Sequence, residues 1–266
     1  MKSVEFLKKH NVDVDKSLEL FGDMGIYNET MQDFLDGIEE KKTDLKKYKD
    51  LDDWANYAIY AHSIKSDARY LGFTSVAEVA LQHEMAGKES NQHFIEKDYD
   101  HLVNITNEMI SIVKDYLTGD DSTETSNITP TDTPIVTTNE NEKEIILVAD
   151  DSHLVSNFAT KMLDKYEVVV AKDGKEVLDI INSNKYKILC LLLDLNMPNV
   201  NGFQVLDYFS QNNLFAKIPV SIITGEDSKD AISKAFQYNI VDMLVKPFSK
   251  DDINRVVDKT INIHKM

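Results

Sequence analysis

Three carboxylates, a lysine and a hydroxyl stand at the ends of short apolar runs in the C-terminal half of this chain. Asp150 closes "EIILVAD" with Asp151 next to it, Asp194 closes "KILCLLLD", Thr224 closes "IPVSIIT" and Lys246 closes "DMLVK". If these runs are strands of one parallel sheet, their carboxyl ends converge. Three clustered anions raise one another's pKa. A hard divalent cation relieves that, and a carboxylate, carbonyl and water donor set suits Mg²⁺, with Mn²⁺ in its place. Thr224 and Lys246 still need a reason to be there. A tetrahedral anion carried on Asp194 supplies one, because the cation and Lys246 would neutralise its oxygens while Thr224 donates a hydrogen bond.

One histidine in the N-terminal half has comparable company. In "AHSIKSDARYLG", residues 61–72, His62 is followed by Lys65 at i+3, Ser66 at i+4 and Arg69 at i+7. The apolar stripe of that helix is Trp54, Tyr57, Ala58, Ala61, Ile64, Ala68 and Leu71. His62 lies about 100° round from Ala61, at the edge of the stripe, and is expected to be partly exposed. A neutral imidazole there suits attack on phosphorus, with Lys65 to screen the product. The spacing alone fits a solvated surface histidine equally well.

Two kinds of element must position these groups. Residues 1–118 read as all-α. Helices start near Asn28, near Asp52, after Thr74–Ser75 and near residue 92, with Gly72 just past the second. Short loops between them predict an antiparallel four-helix bundle preceded by a short N-terminal helical segment. Residues 119–143 are rich in Thr, Ser, Asp, Asn and Pro and predict a flexible, polar, acidic linker. Residues 144–266 alternate five apolar runs with helical patterns at 153–164, 174–184, 202–212, 228–238 and 250–264. That is α/β, a (βα)₅ doubly wound parallel sheet.

The formal net charge of the 266 residues is −17, and none of the three segments carries a basic excess, which argues against nucleic acid as a partner. No apolar run approaches the roughly 20 residues of a membrane span. The N-terminus "MKSVEFLKKH" lacks a signal-peptide core, so a cytoplasmic location is expected. Cys190 lies in an apolar run and reads as a small hydrophobe. The remaining histidines, His10, His83, His93, His101, His153 and His264, read as structural or solvated. The lysine-rich stretch 39–50 reads as a solvated helix end.

"LVADD", "LLLDLNMPNVNGF", "IITGED" and "LVKPF" resemble, in order and spacing, the receiver domain of bacterial response regulators, and the resemblance covers essentially all of 144–266. It implies Asp194 as phosphoacceptor. It implies Asp151, Asp194 and the carbonyl of Asn196 as Mg²⁺ ligands, Asp150 acting through water, and Thr224 and Lys246 as the groups that sense and bind the phosphoryl group. Met243 stands at the switch position, where receivers usually carry Tyr or Phe; a methionine there can repack as the switch but has no ring to flip. "AHSIKSDARYLG" is similar to the signature of histidine-containing phosphotransfer (HPt) domains, matching at His62, Ile64, Lys65, Ala68, Leu71 and Gly72. Ser66 replaces the usual glycine and Asp67 a small residue, and both changes bear on docking. His62 is the implied phosphohistidine, with Lys65, Ser66, Arg69 and Gly72 around it.

No P-loop or other ATP-binding kinase pattern occurs, so the expected role is a phosphotransfer intermediate and not a kinase. The receiver would catalyse its own Mg²⁺-dependent phosphorylation and dephosphorylation. The implied partners are a histidine kinase or hybrid kinase upstream, the receiver of another response regulator, and contact between the two domains of this chain. The alternative is a phosphorylation-regulated binding module that sequesters a kinase or receiver without onward transfer.

Overall fold

The computed structural model describes residues 1–119, 143–225 and 229–263. The expected linker, 119–143, lies outside the described residues except for Gly119 and Lys143.

Two short helices, α1 (Val4–Lys9) and α2 (Val14–Phe21), precede four longer ones, α3 (Met24–Asp50), α4 (Trp54–Leu71), α5 (Thr74–Lys88) and α6 (Gln92–Thr118). The bundle's first helix begins at Met24, earlier than the periodicity near Asn28 predicts. The Asp23 carboxylate accepts from the Ile26 backbone N–H and caps it there. Asp53 and Asn91 cap α4 and α6 in the same way. Gly72 ends α4 at φ 83°, a left-handed conformation that L side chains disfavour. A Cβ on Gly72 would also stand 2.5 Å from the Asp13 carbonyl oxygen, so this glycine lets the start of α2 close against α4.

The C-terminal part holds strands β1 (Lys143–Ala149), β2 (Val168–Ala171), β3 (Tyr186–Asp194), β4 (Val220–Gly225) and β5 (Met243–Lys246). Between and after them run helices α7 (His153–Met162), α8 (Gly174–Asn182), α9 (Gly202–Gln211), α10 (Lys229–Ala235) and α11 (Lys250–Asn262). All pairings are parallel and the strand order is β2-β1-β3-β4-β5. Alternation in β1 sends Ile145, Leu147 and Ala149 to the face covered by α8 and α9. Ile146 and Val148 point to the face covered by α7 and α11.

The second face does not end at its own helices. Ile146, Val148, Leu154, Val155, Phe158 and Met162 belong to the same continuous apolar cluster as the core of the helical bundle. Helix α3 packs along α7, and the bundle's Phe21 and Tyr70 meet Phe158 and Phe248 of the α/β part. The two halves therefore share one core.

Candidate functional site

The carboxyl ends of β1, β3, β4 and β5 bring Asp150, Asp194, Thr224 and Lys246 together, all buried. Lys246 Nζ lies 2.7 Å from Asp150 Oδ2 and 2.6 Å from Asp194 Oδ2. Asp151, half-buried, completes a group in which one oxygen of each carboxylate lies within 4.8 Å of the others. Burial first, then the neighbouring carboxylates, pushes the Asp150 and Asp151 carboxyls up. One lysine does not neutralise three acids, and an all-oxygen donor set of this span fits Mg²⁺. The Asn196 backbone N–H donates to Asp194 Oδ1 at 3.1 Å, so the turn after β3 holds the carboxylate in place. Thr224 and Gly225 end β4 beside it, and Met243, half-buried, begins β5. Glu226 lies outside the described residues.

His62 sits on α4 as the helical periodicity places it, but it is not partly exposed. It is only 4% exposed, because the α/β domain covers it. A Cβ on Gly225 would be 3.1 Å from His62 Cε1, 3.8 Å from Nε2 and 3.9 Å from Lys65 Nζ. The absence of a side chain at Gly225 is what lets the imidazole approach the ends of β4 and β5. His62 Nδ1 is 3.0 Å from Glu84 Oε1, and Lys65 Nζ is 2.7 Å from Glu84 Oε2. Lys88 also pairs with Glu84, at 2.5 Å. With Nδ1–H donating to the carboxylate, the Nε2 lone pair is free, and Nε2 is buried without a hydrogen-bond partner among the described residues. Burial holds the His62 pKa below its usual value, partly offset by Glu84.

Glu84 was not legible as a site residue. Its signal was a carboxylate at the third place of Ala77, Ala80, Glu84 and Gly87, the buried row of α5. Lys41 was hidden in the same way: it follows Phe34 and Ile38 on the buried row of α3 and precedes Leu45. Far from being solvated, its Nζ donates to Asp67 Oδ2 at 2.5 Å and to Ser152 Oγ at 3.3 Å. Ser152 Oγ in turn donates to Asp67 Oδ1 at 2.8 Å. Ser66 is buried, its hydroxyl without a hydrogen-bond partner among the described residues. Arg69 lies beside Pro247, and Gly72 is the cap of α4, remote in role from the imidazole. His83 is a satisfied core histidine between Tyr57 and Asp98.

Residues 146–258 match the response regulator receiver domain family, and residues 29–114 match the Hpt domain family. The chain joins an Hpt domain to a receiver domain. Over 118 residues the receiver is 25% identical to the two-component response regulator ORR3 of Oryza sativa subsp. japonica, covering 44% of this chain and 89% of that protein. Over 106 residues it is 35% identical to response regulator RR06 of Streptococcus pneumoniae, covering 39% of this chain and 46% of RR06. A solved receiver domain protein from Clostridium thermocellum is 26% identical, covering 46% of this chain and 97% of its own, with a TM-score of 0.42. The chain spans less than two thirds of several curated relatives it matches, 24% in one from Arabidopsis thaliana. The pairing of an Hpt and a receiver domain is that of His–Asp phosphorelay signalling. Among the described residues no helix is long and apolar enough to cross a membrane.

Proposed function

We propose that this chain carries phosphoryl groups between histidine and aspartate, with His62 and Asp194 as the two carriers, in a bundle of residues 1–118 and a receiver of residues 144–266. The observation that supports this most is the unpartnered, buried Nε2 of His62 beside Gly225, at the rim of the Lys246–Asp194 pocket. In the transfer, the Nε2 lone pair attacks phosphorus of phosphorylated Asp194. The P–O bond to the carboxylate breaks, and its electron pair returns to Asp194. The imidazole keeps its Nδ1 proton, and Glu84 faces the positive charge that results. The reverse step forms phosphoaspartate from phosphohistidine. Lys246 and Thr224 are the groups that meet the phosphoryl oxygens. Asp150, Asp151 and Asp194, with Asn196, would hold Mg²⁺, which supplies positive charge to those oxygens when bound.

The partners that follow are a histidine or hybrid kinase that supplies the phosphoryl group and a receiver that exchanges it with His62. The test is phosphotransfer with His62→Gln and Asp194→Asn chains. Acid-labile, base-stable label is expected on His62 from a phosphorylated receiver, and base-labile label on Asp194. If His62 takes no label from any phosphorylated receiver, the relay reading falls. The burial of His62 beneath the receiver would then favour a binding module whose docking responds to phosphorylation of Asp194.

A further inference from the structure

The face of α4 that bears His62 is occupied in this chain. We infer that the Hpt domain takes the receiver of its own chain as its phosphotransfer partner, and that this docked pair shuts outside receivers away from His62. The inference rests on the relay reading and adds to it the identity of the partner.

Three independent sets of contacts carry it. The first is an aromatic anchor: Tyr70, two turns beyond His62 on α4, packs on Phe158 with ring centroids 5.7 Å apart. It meets Phe248 edge-on at 5.8 Å. Its hydroxyl oxygen accepts from the Phe248 backbone N–H at 3.3 Å. Phe21 adds an edge contact to Phe158 at 5.0 Å. Buried aromatics in fitted pockets are the residues that dominate interface energetics.

The second is the closed triangle of Lys41, Asp67 and Ser152, which crosses the boundary between the domains and is buried at every corner. A receiver without a hydroxyl at the place of Ser152 would leave part of this group unpaired, and buried unpaired polar groups discriminate strongly against wrong partners. The third is a rim pair of matched charge: Lys161 of the receiver lies 3.0 Å from Asp33 and 3.1 Å from Glu29 of α3. Two domains on one chain meet at an effective concentration on the order of millimolar, which a separate receiver does not match. Asp67 replaces a small residue of the Hpt signature, and it is Asp67 that reaches Ser152.

The experiment uses the full chain. A Cβ on Gly37 of α3 would stand 3.6 Å from the His153 Cβ of α7, within the separation of about 3.5–4.5 Å that a disulfide requires. Cys190 is buried and does not compete. A Gly37→Cys/His153→Cys chain is expected to close this bond under mild oxidant, and Lys161→Glu, a rim substitution that leaves both cores intact, is expected to slow closure. With radiolabelled acetyl phosphate as donor, base-stable label should pass from Asp194 to His62 in the unstapled chain. Its first-order rate should not change over about a hundredfold range of chain concentration. A rate proportional to concentration would overturn the inference and assign the face to a second copy.

The stapled chain carrying Asp194→Asn is then offered a phosphorylated His62→Gln chain as the outside receiver. Outside label reaches His62 only while the pair is transiently undocked, so it is expected to fall at least about tenfold with the bond closed and to return with reductant. Label that reaches His62 readily and equally in both states would overturn the exclusion of outside receivers, whereas none in either state is exclusion by docking alone. A staple that closes while His62 takes no label in any combination removes the relay reading itself. A staple that does not close while His62 is labelled removes only the own-receiver partnership.

Discussion

Glu84 does two things to His62, and they pull in different directions. Its carboxylate fixes Nδ1 as the protonated nitrogen, and its charge raises the proton affinity that burial lowers. Because burial dominates, the imidazole stays neutral below its usual value of 6.5. Transfer onto His62 should therefore stay flat through pH 6.5 and fall only in more acid solution, as a pH–rate profile would read. Glu84→Gln should slow that transfer on the order of a hundredfold through lost orientation, with Asp194 labelling unchanged. The acid limb should move to still lower pH. Glu84 also contributes stability. Burial opposes its ionised form, but the His62 hydrogen bond and the Lys65 and Lys88 charges hold its carboxyl below the ordinary 4.5. That stabilisation is present above pH 4.5 and lost as pH falls below it, so urea unfolding of the wild type and Glu84→Gln should converge in acid. His62, Asp194 and Lys246 were legible because each sits at a fixed place in a local pattern. Glu84 was not, because its meaning depends on a contact across two helices with a residue 22 positions away.

At the scale of elements the sequence said much. Five apolar runs became five strands, and Asp53 and Gly72 bounded α4 as their types predict. Gly72→Ala would meet both the left-handed backbone and the Asp13 carbonyl, and should cost about 2–3 kcal/mol in urea denaturation at an unchanged m-value. Helix α4 itself misled. Its polar residues Ser63, Lys65, Ser66 and Asp67 mark an exposed face in an isolated bundle, yet all are buried. The receiver reaches Lys65, Ser66 and Asp67 through Gly225, Pro247 and Ser152, which periodicity within one helix does not report. Lys41→Ala leaves the Asp67 carboxylate buried without its cation, and should destabilise the chain by about 3–5 kcal/mol. A Lys41→Met/Asp67→Leu double variant should recover much of that loss, as thermal unfolding of both would show.

For the whole molecule, the uncompensated acids at the strand ends predict a stability linked to divalent cation. Mg²⁺ at about a hundred times its dissociation constant should stabilise the chain by about 2.7 kcal/mol, and Asp151→Asn should reduce the shift in Tm. The gain should shrink in acid, where the carboxyls take up protons in place of the cation. The core that runs from Tyr27 and Phe34 through Tyr70 to Phe158 and Val256 has a further consequence. The bundle and the receiver are not two beads on a string but one melting unit, and calorimetry of the full chain should give a single endotherm whose van't Hoff and calorimetric enthalpies agree. Severed between residues 119 and 143, each fragment would present bare aromatic surface to water, Tyr70 and Phe21 on one, Phe158 and Phe248 on the other. Expressed apart, the fragments should bind a hydrophobic dye and tend to precipitate; mixed, they should reassemble and lose the dye.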